Sequence, residues 1–72
     1  MNVIGPQIKH LRELNDMTQV DLTVRCNIVG WSISRSTLAK IESQVRRVTD
    51  SEVELMAKAL KVDISKLYAI HN

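Results

Sequence analysis

Aromatic side chains are almost missing from this sequence of 72 residues, which has no Phe, one Trp and one Tyr. Hydrophobic residues still make up 44% of the chain, so a folded core has to be built from aliphatic side chains. A chain this short is near the lower limit for burying an adequate core, and association of two copies would help to stabilise it. We expect one domain that spans residues 1–72 and has an aliphatic core.

Cysteine, histidine and glycine are also scarce, and their scarcity excludes several kinds of site. The one cysteine, Cys26, rules out an internal disulfide and a cysteine-rich zinc site, and its apolar neighbours favour a small buried side chain. His10 and His71 lie far apart and match no familiar metal-ligand spacing. Two glycines provide no glycine-rich phosphate loop, and no serine has an evident base partner. We expect no cofactor, no metal and no catalysis.

Long hydrophobic runs are missing too. The longest apolar run has four residues, which is too short for a membrane span or a signal peptide. Charged residues make up 25% of the chain, a fraction typical of globular proteins rather than of disordered ones. The default expectation is a soluble cytoplasmic protein that does not contact a membrane.

Positive charge is concentrated in the middle of the chain. The net charge is only +2, but residues 25–47 carry five cations and one carboxylate. The segments before and after that stretch each carry one more carboxylate than cations. A basic central segment is suited to binding a polyanion.

Apolar spacing and capping residues predict five short helices and no strand. Ile4, Ile8, Leu11 and Leu14 are spaced as one face of a first helix that begins near Pro6 and ends at residues 15–16. The second helix is predicted to end at a glycine. The expected start residues of the four later helices are Thr18, Ser34, Thr49 and Asp63, of which Thr18 and Thr49 have an acidic residue three positions on.

The stretch Ser34–Ser43 is the most informative part of the chain. Leu38 and Ile41, with Val45 four residues further on, form one narrow apolar stripe. The opposite face carries only short or hydrogen-bonding residues and two cations. The major groove of B-DNA admits an α-helix, in which Arg or Lys can bind guanine O6 and N7. A solvated surface helix is the alternative interpretation of these residues.

Three blocks of sequence resemble the phage-repressor-like (Xre-type) helix-turn-helix proteins. They are Thr18–Leu22, Ile33–Glu42 and Ala57–Val62, in that order. The resemblance implies an all-α, compact five-helix domain of the lambda-repressor-like kind, in which helices two and three bind DNA. The third helix would lie in the major groove, with its N-terminal residues at the base edges.

The resemblance also implies roles for individual residues. Residues at base-reading positions are Ser34, Arg35, Ser36 and Lys40. Residues at phosphate-contacting positions are Gln19, Ser43, Arg46 and Arg47. Arg12 and Glu42 fall where several relatives form a salt bridge between the first and third helices. For the cations a merely solvated role is the alternative, and Gln19 could be only a helix-start residue.

The sequence departs from the family pattern in two places. The stretch between Leu22 and Ser34 is about five residues longer than a helix-turn-helix with a turn of three to four residues requires. We therefore expect an extended second helix and a longer turn over which Trp31 and Ile33 pack. Gln44 stands where relatives usually have Gly, which adopts positive φ without steric cost, so the following loop could differ in shape.

The sequence therefore predicts a DNA-binding transcriptional regulator, of bacterial or phage origin, that binds a palindromic operator as a homodimer. Repression is the first expectation for its effect, and activation remains open. Tyr68 and Ile70 are more apolar than a C-terminal tail requires and are candidates for the dimer interface. The alternative function is a protein-interaction module of the same fold, such as an antitoxin-like or bridging subunit.

Overall fold

The computed structural model describes residues 4–68, and within that range the chain forms four α-helices, one short 3-10 helix and no strand. The elements are α1 (Ile4–Leu14), α2 (Gln19–Ile28), α3 (Arg35–Glu42), α4 (Asp50–Leu60) and the 3-10 helix (Ile64–Lys66). The all-α prediction is confirmed. The predicted fifth helix is instead a single 3-10 turn of three residues that follows the cap at Asp63.

The predicted helix starts after the first are confirmed, and side-chain caps define them. Thr18 Oγ1 accepts a hydrogen bond from the backbone N–H of Asp21, whose carboxylate accepts one from the backbone N–H of Thr18. Thr49 and Glu52 form the same reciprocal pair at the start of α4. Ser34 Oγ accepts from the backbone N–H of Thr37 at 3.1 Å. These bonds satisfy amides that a first helical turn leaves unpaired.

Each of the four α-helices is followed by a residue with positive φ. Gly30 follows α2 with φ +95°, as expected for a glycine stop. The other three residues are Asp16 (φ 55°), Gln44 (φ 67°) and Lys61 (φ 58°). Gln44 thus adopts the left-handed conformation at a position where the proteins that the sequence resembles usually have glycine. The Lys40 carbonyl accepts from the next two backbone N–H groups, at 2.9 and 3.1 Å.

The core is aliphatic, as the composition predicts, and it lies between α2, α3 and α4 with α1 packed across α3. Ile33 is buried and Trp31 is half-buried against this core, so both cover the connection between α2 and α3. The largest fully buried side chains are Ile8, Leu22, Leu38, Ile41, Met56 and Leu67. No helix within residues 4–68 has both the length and the apolar character needed to cross a membrane.

Two predicted core positions are wrong. Leu14 is 65% exposed, because Arg12 occupies the inward position in the last turn of α1. Val45 is 77% exposed, because α3 ends at Glu42 and the left-handed Gln44 redirects the chain before the helical stripe can continue. Apolar spacing alone does not locate a helix end.

Gly5 sits at the closest approach of α1 to α3. It is already helical and buried, whereas the sequence suggested a helix that begins after it. A Cβ at this position would collide with the backbone carbonyl oxygen of Ile41 and would lie 3.2 Å from that of Glu42. The missing side chain therefore allows the two helices to pack at this distance.

We expect Gly5→Ala to destabilise the domain by about 1–3 kcal/mol, although alanine favours helix by about 1 kcal/mol over glycine. The reason is that backbone atoms of α3 cannot move aside as a flexible side chain would. Urea unfolding followed by circular dichroism measures the change. Glu54→Ala, at an exposed position within α4, is the control and should change stability little. A Gly5→Ala protein as stable as the parent would contradict the close packing.

Candidate nucleic-acid interface

A buried polar network joins α1, the start of α2 and the end of α3. Arg12 Nε donates to Glu42 Oε2 at 2.8 Å, and Arg12 Nη2 donates to Glu42 Oε1 at 3.1 Å. Arg12 Nη1 donates to the backbone carbonyl of Met17 at 2.8 Å, and Gln19 Nε2 donates to Glu42 Oε1 at 3.1 Å. The two charged residues are only 8% and 7% exposed. The bidentate geometry and the added hydrogen bonds satisfy both ions.

The electrostatics of this network favour the ionised pair. The pKa of Arg12 is raised, chiefly by its hydrogen bond to Glu42 and against the effect of burial. Because Glu42 is the last residue of α3, its bonds to Arg12 and Gln19 fix the C-terminal end of that helix against α1 and α2. The orientation of α3 is therefore set by charge-assisted hydrogen bonds as well as by apolar packing.

The outer face of α3 is exposed and positively charged. Arg35, Ser36 and Lys40 are all exposed, and neither cation forms a salt bridge within residues 4–68. Ser34 is exposed too, but its hydroxyl caps α3 and donates to Thr37 Oγ1 at 3.0 Å. On the opposite face Leu38 and Ile41 are buried, which fixes the helix to the core. The arrangement presents free donors on a rigid helix, as binding in a groove requires.

Three of the four residues assigned to phosphate contacts, Gln19, Ser43 and Arg46, already have side-chain partners within the chain. Gln19 is half-buried and donates one amide hydrogen to Glu42, which leaves its second amide hydrogen for another acceptor. Ser43 Oγ donates to the Lys40 carbonyl at 3.2 Å. A hydroxyl has a single hydrogen to donate, so this bond has to break before Ser43 can donate to a phosphate.

The two loop arginines, Arg46 and Arg47, differ in whether a carboxylate of the chain pairs with them. Arg46 Nη1 and Nη2 donate to the carboxylate of Glu52 at 3.1 and 2.9 Å, and its side chain is 38% exposed. Arg47 is exposed, and its side chain forms no salt bridge with any residue of the described range. Arg47 is therefore the freer cation, whereas Arg46 holds the loop to the start of α4.

Glu52 has two roles, since it caps α4 and pairs with Arg46, and the sequence predicts only the first. Its capping pattern with Thr49 was visible, but its pairing with Arg46 was not. An arginine six residues before a capping glutamate, across a turn, is the signal that could have suggested it. The pKa of Glu52 is lowered, first by the hydrogen bonds from Arg46 and then by those from Thr49.

The remaining predicted site residues lie away from α3 or beyond the described range. Tyr68 is 51% exposed, which leaves it accessible to a partner, and Ile70 lies outside residues 4–68. Within that range no group of His, Cys, Asp and Glu side chains is arranged to hold a metal ion.

An anchored helix with free cations on its outer face, preceded by a capped helix and a six-residue connection, defines a helix-turn-helix unit. The helix-turn-helix family model matches residues 8–67, so the chain belongs to that family, of the Xre-like, phage-repressor type. Membership indicates a DNA-binding regulator and double-stranded DNA as its ligand. Comparisons with curated proteins and with solved structures gave no match.

Removing one partner of the buried pair should be strongly destabilising. We expect Glu42→Ala to lower the free energy of unfolding by about 3–5 kcal/mol, since it leaves Arg12 charged, buried and unpaired. The measurement is urea unfolding, with exposed Glu54→Ala as the matched control. The double variant Arg12→Met with Glu42→Ala should cost less than the sum of the two single changes. Additive costs would show that the two side chains do not interact.

The bond between Arg46 and Glu52 predicts a dependence of stability on pH. Because the folded-state pKa of Glu52 is lowered, its contribution is fully present above the unfolded pKa of about 4.3. That contribution is lost as the pH falls through the lowered folded-state value. We expect Glu52→Gln to be less stable than the parent at pH 7 and to approach it as the pH falls through the lowered pKa of Glu52.

Urea unfolding at a series of pH values measures this difference. The matched control is Glu54→Gln, on the exposed face of the same helix, which should follow the parent curve. A constant difference between Glu52→Gln and the parent across the whole pH range would rule out the ion pair as its cause.

Proposed function

We propose that this protein is a sequence-specific transcriptional regulator that inserts α3 into the major groove of its operator. The observation that carries the proposal is that Arg35 and Lys40 are exposed on the outer face of α3 without a salt bridge within residues 4–68, while the inner face of that helix is buried. The anchoring network at Glu42 holds that helix in one orientation, which is what base recognition requires.

Base reading is assigned to the exposed face of α3. Arg35 and Lys40 can donate to guanine O6 and N7, and the Ser36 hydroxyl can donate to or accept from a base edge. Ser34 is assigned to the same edge, although its hydroxyl also caps the helix. Arg35 and Ser36 lie in the first turn, the part of a recognition helix that approaches the bases most closely.

Contacts with the DNA backbone are assigned to the residues that flank α3. Gln19 lies at the start of α2 and keeps one amide hydrogen free, while Arg47 presents an unpaired guanidinium. Ser43 and Arg46 complete the set. Ser43 joins it once its bond to the Lys40 carbonyl breaks, and Arg46 joins it through the guanidinium N–H groups that Glu52 does not use. Such contacts set the register of the protein on the duplex and supply much of the affinity.

We infer that two copies bind together as a homodimer on a palindromic operator. Half-sites of such an operator are spaced by about one helical turn, roughly 34–36 Å. Tyr68, exposed next to buried Leu67, and Ile70 are the residues proposed for the two-fold contact. Occupancy of a promoter by this dimer would repress transcription, with recruitment of polymerase as the alternative outcome. Such a regulator works in the cytoplasm of a bacterial cell.

The second candidate is a protein-interaction module, such as an antitoxin-like or bridging subunit. The observation in its favour is the exposure of Val20, Val24 and Ile28 along one face of α2. Salt dependence separates the two functions. A DNA-binding protein with about six to ten phosphate contacts should show a log–log slope near −5 to −9, whereas an interaction module should bind DNA weakly.

Selection of genomic DNA fragments tests the proposed function directly. The purified protein is mixed with sheared DNA from its source at physiological salt, and the retained fragments are sequenced. Enrichment of a short motif with two-fold symmetry would support the regulator and identify the operator. Retention without a motif, or no retention, would favour the interaction module.

We expect Arg35→Ala to cost about 1–3 kcal/mol on the enriched site and to relax the preference at one base position. The control is Arg47→Ala, which should weaken binding to all sequences alike and reduce the salt slope by about one. Fluorescence anisotropy with specific and random duplexes measures both effects. An unchanged ratio of specific to random affinity in Arg35→Ala would contradict its role in base reading.

A further inference from the structure

A cleft with an apolar floor and a basic rim lies between the C-terminal ends of α2 and α4. Its volume is about 290 Å³. Ile28, Val29 and Ala59 contribute apolar groups to it. The cations that line it are Arg25, Lys58 and Lys61.

The chain neutralises these three cations only in part, since Asp21 attracts Arg25 at longer range. None of them forms a salt bridge within residues 4–68, and no carboxylate lines the cleft. Arg25 and Lys58 lie in the last turns of α2 and α4, where cations are also favoured by the helix dipoles. The dipoles explain two cations at two separate helix ends. They do not explain the apolar floor that the two helix ends share.

Exposed apolar side chains continue from the cleft along α2. Val20, Val24 and Ile28 are spaced by four residues and are 53%, 54% and 78% exposed. They therefore form one stripe about 12 Å long on the outer face of that helix, and the stripe runs into the cleft at Ile28. A helical segment that packs along α2 could cover this stripe with side chains spaced by three or four residues.

The charge and the apolar surface together argue against three other occupants. A two-fold contact with a second copy through this surface would bring two sets of three cations together, which is unfavourable. The DNA backbone would satisfy the cations but has no apolar group to cover the floor and the stripe. A small anionic molecule could fill the cleft but would leave the stripe exposed.

We propose that the cleft and the stripe on α2 bind an amphipathic acidic segment of another protein. Its apolar side chains would cover the stripe and enter the cleft, and its carboxylates would pair with Arg25, Lys58 and Lys61. None of these residues is assigned above to DNA, so the proposal does not depend on the proposed function. For the second candidate function, the protein-interaction module, the proposal names the binding surface and the chemistry of the partner.

Selection from random peptides of about 12 residues, roughly 18 Å of helix, displayed on phage tests the proposal on the immobilised full chain. We expect enrichment of peptides that combine apolar residues at helical spacing with Asp and Glu. Nuclear magnetic resonance titration of the labelled protein with the most enriched peptide should shift amides of residues 25–29 and 58–61.

Variants at exposed positions keep the test independent of folding. Ile28→Ser should weaken binding of the enriched peptide at least about tenfold, and Lys58→Gln should weaken it about two- to fivefold at low salt. Thermal stability should change little in either variant, with a small loss in Lys58→Gln from its place at the end of α4. The matched controls are Leu14→Ser and Lys9→Gln, which are exposed on α1 and should bind as the parent does. The loss of affinity in Lys58→Gln should shrink at raised salt, because salt screens the exposed charge pairs that this change removes, whereas the loss in Ile28→Ser should persist.

Three outcomes would overturn the proposal. One is a selection that enriches nothing or enriches peptides without acidic residues. Another is binding that survives both Ile28→Ser and Lys58→Gln. The third is a reduced salt slope of DNA binding in Lys58→Gln, which would make the cleft cations phosphate contacts. Failure of the proposed function would appear separately, as the absence of any enriched DNA motif.

Discussion

The buried pair of Arg12 and Glu42 is the interaction on which the arrangement of the helices depends. An ion pair removed from water stabilises a fold only when nearly all of its hydrogen-bonding groups have partners. Here those partners come from the last turn of α1, the loop at Met17, the first turn of α2 and the last turn of α3. Because the pair tolerates little misalignment, it selects one geometry of these elements, which apolar packing alone would define less sharply. The face of α3 assigned to the bases inherits that geometry.

The connection between α2 and α3 shows how a longer turn is made compatible with the same unit. Residues 29–34 leave α2 through the left-handed Gly30 and enter α3 through the cap at Ser34. Between these two points Ile33 is buried and Trp31 is half-buried, so the added length is fixed to the core. This packing ties the start of α3 to the core. The one tryptophan of the sequence lies at this connection, where its large side chain packs against the core.

Much of the fold follows from local rules that the sequence displays. Capping residues at Thr18, Ser34 and Thr49 predict three helix starts, since each bond joins residues three positions apart. The aliphatic core follows from composition and helical spacing. The last helix was predicted too long, because a cap at Asp63 indicates where a turn begins but not how far it continues.

Features that depend on contacts between distant segments were harder to predict. Exposure of Leu14 and Val45 depends on which neighbouring groups occupy the inward positions, which spacing does not encode. The partner of Arg46 is set by the path of the chain around Gln44. The resemblance to the family predicts DNA contacts for the cations of α3 and of the loop that follows it. It gave no indication of which loop arginine has an internal partner, because that depends on side-chain geometry.

Backbone strain at the helix ends affects how readily the protein unfolds and is degraded in the cell. Three of the four left-handed residues that follow the α-helices are not glycine, and each costs about 1 kcal/mol or more in backbone strain. A chain of this size has a free energy of unfolding of only about 4–11 kcal/mol, so such strain is a sizeable fraction of it. A ligand that binds only the folded state adds stability, about 2.7 kcal/mol at one hundred times its dissociation constant. Copies engaged with DNA or a partner would therefore resist proteolysis better than free copies, so the steady level of the protein would follow how much of it is bound.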